Sequence, residues 1–208
     1  MKPFYFFSLL LFTVLATSCE SVFLKIYGVS EINKVETVDN ILKVAKSYNI
    51  ANENIYELDT AFYKSLELQK DTSNAGIIKN HLQPLQAMYF DKNGQMTAFY
   101  INCYAEGFPN LNWNQNNNFN VFPPVQQIGL SVDTLITFSK LQPYLTQISG
   151  NQQEIDGDYF VVVFWSKAFG RQSKHLVEIV KKNIELAQCK VNTMFVFSDN
   201  FFYKIMGE

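Results

Sequence analysis

The stretch DYFVVVFWSKAFGRQSKHLVEIVKKNIELAQCKVNTMFVFSDN, Asp158–Asn200, decides how this 208-residue chain is read. Tyr159–Trp165 is apolar at every position. A strand with no polar position has to be covered on both faces, as happens in sheets sandwiched between helices. Asn192–Ser198 (NTMFVFS) is a second strand. Between them, a helix starts near Ser173. Leu176, Val180, Ile184 and Ala187 make its buried stripe, and Glu178 and Lys182 sit four apart on its wet side. Two parallel strands joined in this way form a right-handed βαβ unit. The expectation is an α/β domain, a central mixed sheet of about five strands with helices on both faces.

Upstream, Thr37 can cap a helix that begins at Val38 and buries Val38, Ile41, Leu42, Ala45 and Tyr48. Asn54–Leu58 alternates like a short strand. Asp59 can cap a helix over Ala61–Gln69, and Ser73 one over Ala75–Gln83, which Pro84 stops. Leu85–Phe90 and Gln95–Cys103 are strand-like runs joined by Asp91-Lys92-Asn93-Gly94, and Asn-Gly accepts the positive backbone angles of a hairpin turn. Ser139–Ile148 reads as a helix with Leu141, Leu145 and Ile148 on its buried face, ended by Gly150. The Asn-rich segment Glu106–Pro124 reads as a long loop. Its Trp113, Phe119 and Phe122 either contact an envelope protein or a glycan, or tuck beneath the loop as anchors.

Composition narrows the partners. The chain is 48% hydrophobic and 15% aromatic, with a formal net charge of −2 and no polybasic run. A nucleic-acid backbone would find no electrostatic counterpart, which sets that class aside.

The first eighteen residues read as a signal peptide. Lys2 supplies a small positive region before the apolar run Phe4–Leu15, which is too short to span a bilayer. Leu15-Ala16-Thr17-Ser18-Cys19 then resembles the lipobox of bacterial lipoproteins, with Ala16 where that motif most often has Leu. The resemblance implies that Cys19 becomes the N-terminus and carries a thioether-linked lipid. The membrane is then a partner, and the location is the cell envelope, on the periplasmic or surface side of the inner or outer membrane. The expected organisation is a signal peptide over 1–18, a lipid-attached leader over 19–36 and one α/β domain over 37–208. The apolar leader either packs on the domain or rests at the membrane interface. Cys103 and Cys189 remain, as buried free thiols or as a disulfide that an oxidising compartment would preserve.

Catalytic patterns are missing. His81 and His175 have no cysteine or histidine at ligand spacing, so no metal site is expected. There is no G-x-S-x-G, no H-E-x-x-H, no phosphate loop and no dinucleotide fingerprint, and no cofactor is implied. Glu154, Asp156 and Asp158 read as solvated turn residues.

At Phe164-Trp165, a buried strand ending in Phe-Trp and leading into a long helix, the chain resembles the thioredoxin superfamily. Phe169-Gly170-Arg171-Gln172 occupies the place of that family's C-G-P-C tetrad, keeping the glycine and neither cysteine. Leu82–Tyr100 looks like the family's proline-then-hairpin segment, with Pro84 in the place of the cis-proline. That segment lies upstream of the βαβ unit here, which implies a permuted or rearranged version of the family's fold, or else a generic α/β sheet. Dithiol exchange needs an activated thiolate and a resolving thiol, and Phe169 and Gln172 supply neither. The expected function is a lipid-anchored exported envelope protein acting as a non-catalytic binding or structural module. The alternative is an atypical thiol-disulfide oxidoreductase that uses Cys103 and Cys189.

Overall fold

Tyr159–Trp165 (β5) and Val191–Phe197 (β6) pair in parallel from Tyr159↔Val191 to Trp165↔Phe197, and the helix Gly170–Ile184 (α5) joins them. This is the βαβ unit anticipated from the apolar runs. A computed structural model describes residues 29–102, 112–150 and 156–207. The signal peptide with Cys19, the leader as far as residue 28, Cys103, Glu154 and residues 106–111 of the Asn-rich loop lie outside the described residues.

The hairpin of Gln86–Asp91 (β2) and Met96–Ile101 (β3) adds to the free edge of β5, with β2 antiparallel from Gln86↔Phe164 to Asp91↔Tyr159. On the other side, Ile55–Leu58 (β1) runs parallel to β6, and Leu145–Gln147 (β4) runs antiparallel to β1. The result is a six-stranded mixed sheet in the order β3-β2-β5-β6-β1-β4.

Alternation along β5 explains its unbroken hydrophobicity. Val161, Val163 and Trp165 face one core layer with Val38–Ser47 (α1), α5 and the loop aromatics. Phe160, Val162 and Phe164 face the other, with Ala61–Glu67 (α2), Ala75–His81 (α3), Phe138–Leu141 (α4) and Asp199–Met206 (α6). Successive strand residues point to opposite faces, and here both faces are dry. The fold is α/β with helices on both faces.

Local signals mostly acted as physics requires. Thr37 Oγ1 accepts the Asn40 N–H at 3.4 Å at the start of α1, and Asp59 Oδ1 accepts the Ala61 N–H at 2.8 Å before α2. Gly94 turns the hairpin at φ +74°, and Asp91 Oδ1 accepts the N–H groups of Asn93 and Gln95, each at 2.9 Å. Three expectations need correcting. The long helix α5 starts at Gly170 rather than near Ser173 and ends at Ile184, so Ala187 lies past it rather than on its buried stripe. Val38 stays 44% exposed, off the buried face of α1. The turn before α3 is held by Asp71 rather than Ser73, with Asp71 Oδ1 accepting from Ser73 N and Asn74 N.

The helix expected over Ser139–Ile148 is a correction. A single helical turn, α4, is followed by a tight turn at Gln142–Tyr144 and then by β4. Pro143 offers no N–H to continue a helical ladder. The exposed edge of β1 offers partners instead: Asp59 N donates to Tyr144 O at 2.9 Å and Ile148 N to Ile55 O at 3.1 Å. Leu145 and Ile148, assigned to a buried helical face, are half-buried, Leu145 in the edge strand and Ile148 just past its end.

The β3 edge is closed by side chains. Gln127 accepts the Ile101 N–H at 2.8 Å and donates to Ile101 O at 3.3 Å, and Gln126 does the same for Phe99 at 2.7 and 3.1 Å. Two amides thus stand in for a neighbouring strand and protect the edge from intermolecular pairing. Because Ile101 is fully buried, Gln127→Ala strands both of its backbone groups. Urea unfolding of that variant is expected to show a loss of about 2 kcal/mol, with Gln126→Ala milder because that side chain is half-buried.

Asn-rich does not mean shapeless. Asn116 and Asn117 adopt left-handed φ values of 57° and 59°, a region that asparagine tolerates better than most residues. Trp113 and Phe119 are buried and Phe122 packs on Tyr89 and Tyr159, so the aromatics serve as anchors beneath the loop.

Candidate functional site

Open α/β sheets bind ligands beyond the carboxyl ends of their parallel strands. In this chain that place is the turn Ser166–Gly170 between β5 and α5, next to the start of α6 that follows β6. The residues matching the redox tetrad open α5 here: Phe169 is its N-cap, Gly170 its first residue, Arg171 is exposed and Gln172 is half-buried.

Such a turn ahead of a helix presents N–H groups that suit an anion. Every one of them is already used. Ser166 N donates to Ser173 Oγ at 2.9 Å, Lys167 N and Ala168 N both donate to Asp199 Oδ2 at 3.0 Å, Phe169 N donates to Ser166 Oγ at 3.1 Å, and Gly170 N donates to Lys167 O at 3.1 Å. The Ser166 hydroxyl donates to Asp199 Oδ1. Asp199 is thus an internal anion plugged into the turn, and Ser166, Ser173 and Asp199 are all buried. Burial pushes the Asp199 carboxyl above its ordinary value; its three hydrogen bonds oppose the rise and the Glu36 charge adds to it.

Carbonyls of the turn and of the start of α5 also have partners. Tyr48 donates its hydroxyl to Gly170 O at 3.0 Å, Trp113 Nε1 donates to Gln172 O at 3.2 Å, and Ser30 N donates to Ala168 O at 2.8 Å. The last bond belongs to the leader, whose described part lies across the strand ends. Glu36 meets Lys167 at 2.6 Å, its N–H donates to Asn200 Oδ1 at 2.7 Å, and Asn200 Nδ2 reaches Glu57 Oε1 at 2.6 Å. The bond from Lys167 is the main reason the Glu36 carboxyl sits below its usual value. What space remains is a polar cavity of about 210 Å³ between residues 30–36, Lys167 and Asp199.

Pro84 does lie beside this turn. The Ser198 hydroxyl is 2.9 Å from Pro84 O and 3.0 Å from Trp165 O, the last carbonyl of β5. Its peptide bond is trans, unlike the family's cis-proline; among the described residues the cis peptide is Phe122–Pro123.

Cys189 sits elsewhere. It precedes β6 at the Tyr159 end of the sheet, whereas Pro84 and Asn102 are at the Phe164 end, with Asn102 N donating to Leu85 O at 3.1 Å. Five strand residues separate those ends by about 17 Å. Cys189 carries a free thiol, exposed rather than buried as expected.

Sequence reasoning missed a second polar site. His81 is fully buried, its ring stacked on Phe99 with centroids 4.6 Å apart and its Nε2 2.9 Å from Asp133 Oδ2. The pair is fifty-two residues apart, so no spacing signal announces it. Burial raises the Asp133 carboxyl, but the His81 bond and charge, with the Leu135 and Ile136 N–H groups, more than offset this and leave it below its ordinary value. A carboxyl lowered on folding contributes stability that is present above its unfolded value, about 3.8, and is lost as pH falls through the folded one. Denaturant midpoints measured from pH 6 to pH 2.5 should therefore drop more steeply for the wild type than for Asp133→Asn, with the two curves converging at the acid end.

His175 borders a groove along α5 of about 470 Å³, with Glu178, Lys182, Asn114 and Asn120. Asp156 and Asp158 both engage Lys190, through its ammonium and its N–H respectively, as turn residues. Among the described residues no group of three or more His, Cys, Asp or Glu side chains is arranged to hold a metal ion, and no helix is long and apolar enough to cross a membrane. No protein-family model, curated protein or solved structure matches this chain.

Proposed function

We propose that the chain is an exported envelope protein, anchored by a lipid on Cys19, whose α/β domain is a non-catalytic binding or structural module on a permuted thioredoxin-like core. Anchoring is supported by the Leu15–Cys19 sequence. The core reading is supported by the hairpin that pairs with β5 and by Pro84 next to the β5 end. One observation carries the choice against catalysis. Phe169–Gln172, in the place of the redox tetrad, has no thiol, and the N–H groups of the turn that leads into it, Ser166 to Gly170, are consumed by the protein's own Asp199, Ser173, Ser166 and Lys167. Without a thiol the segment cannot exchange disulfides, and the N–H groups of Ser166–Gly170 are not available to an incoming anion.

The anchoring part is tested by fractionating cells that express the wild type and Cys19→Ser. The wild type should pellet with membranes and resist salt washing, and the variant should not. Equal pelleting of the two would remove the lipid from the account.

The exposed free thiol of Cys189 favours a second reading, an oxidoreductase working with Cys103. That reading requires insulin-reduction activity lost in both Cys103→Ser and Cys189→Ser. The distance of Cys189 from the Pro84 end argues for no activity in any of the three proteins. For a protein or glycan partner, the groove along α5 is the place to probe. Because Phe119 is buried, deleting Asn114–Asn120 would disturb the core, so His175→Ala and Lys182→Glu are the cleaner variants.

A further inference from the structure

The C-terminal helix α6 faces two ways. Phe201 is buried under the sheet, yet Met206 is 75% exposed and Tyr203 39% exposed three residues before it, on the side turned away from the core. These two side chains, with Lys204 and Ile32, line an open groove of about 530 Å³. Ile32 belongs to the leader, which is fastened on either side of it by Ser30 to Ala168 and by Glu36 to Lys167 and Asn200.

We infer that this groove face, Ile32 with Tyr203 and Met206, is the surface on which the anchored domain rests on its bilayer. The inference rests on the proposed lipid at Cys19. Ile32 is thirteen residues along the chain from Cys19, a reach of at most about 45 Å even when fully extended. A tether of that reach holds the domain within about its own width of the bilayer, and the side on which the tether enters is the one brought into contact at the least extension of the chain. That side has the chemistry of an interfacial surface. A flexible thioether and an isoleucine enter the acyl boundary, a tyrosine keeps its hydroxyl among the headgroups, and Lys204 extends its ammonium along an apolar stem. Lys34 and Glu31, both exposed on the leader, roughly cancel, so contact is driven by apolar insertion more than by charge.

The test supplies the anchor chemically, so its result does not depend on whether cells lipidate Cys19. Full-length mature chain, residues 19–208, is prepared with one myristoyl group on its N-terminal residue. Such a chain alone gives only marginal, reversible binding, so a second contact becomes measurable. Affinity for phosphatidylcholine vesicles is read by co-sedimentation. Met206→Glu and Tyr203→Glu should each weaken binding severalfold, Met206→Trp should strengthen it, and Leu68→Glu, at an 88% exposed site on another part of the surface, should leave it unchanged. Equal affinity for all five proteins overturns the inference. So does a vesicle-independent dimer that Met206→Glu dissociates, because the face would then seat a second copy.

Discussion

Asp199→Ala is expected to lower stability by about 3 kcal/mol, whereas Asp199→Asn should cost less than about 1 kcal/mol. Alanine leaves the N–H groups of Lys167 and Ala168 and the Ser166 hydroxyl facing a buried space without an acceptor. Each stranded donor costs on the order of 1–2 kcal/mol, and relief of a buried carboxylate returns part of it. Asparagine keeps an oxygen for the two N–H groups and turns its own amide toward Ser166 Oγ. The pH dependence has a definite sign. The folded state raises this carboxyl, so its contribution is fully present below the unfolded value of about 3.8 and is lost as pH rises through the folded one. The amide carries no such loss, so the gap between wild type and Asp199→Asn should move in favour of the variant between pH 4 and pH 7. Urea midpoints at the two pH values check both statements. A plug with only a packing role would show the alanine cost without the pH-dependent shift.

Trp113→Ala is the second large effect, expected at about 3–5 kcal/mol. The indole is 1% exposed, packs in the core layer with α1 and α5, and donates to Gln172 O at 3.2 Å. Its removal leaves a cavity the size of an aromatic ring and takes from Gln172 O the donor it has in addition to the intrahelical N–H. Trp113→Phe fills most of the cavity but not the bond, so it should fall between the two. Urea unfolding separates these cases provided the slope is unchanged; a lower slope would mean that the loop had already detached in the native state.

What was legible in the sequence follows the range of the physics. The two-sided burial of Tyr159–Trp165 is written in seven consecutive apolar residues, and the hairpin in Asn93-Gly94, because those requirements are local. Thr37 and Asp59 announce helix starts for the same reason. The stretch Ser139–Ile148 misleads because three leucine and isoleucine positions fit a helix, while the deciding partner, the β1 edge, lies some ninety residues earlier. The C-terminal helix Asp199–Met206 was not anticipated. The residues themselves place the strand-end turn about three residues late, at Phe169–Gln172 with a helix from near Ser173, whereas it spans Ser166–Gly170 and α5 begins at Gly170. That its donors are satisfied by a carboxylate more than thirty residues later is a tertiary fact with no local signature. His81 with Asp133, and Gln126 and Gln127 on the β3 edge, are hidden in the same way.

The proposed function joins a lipid tether at Cys19 to a domain whose strand-end turn is filled from within. In the proposed function, the tether gives the domain its place in the cell. The most direct test is the intact mass of the mature protein extracted from membranes, with fragmentation of its N-terminal peptide. The account predicts a chain that begins at Cys19 and carries diacylglycerol on the sulfur. A chain that begins at Met1, or one cleaved elsewhere and without lipid, contradicts it.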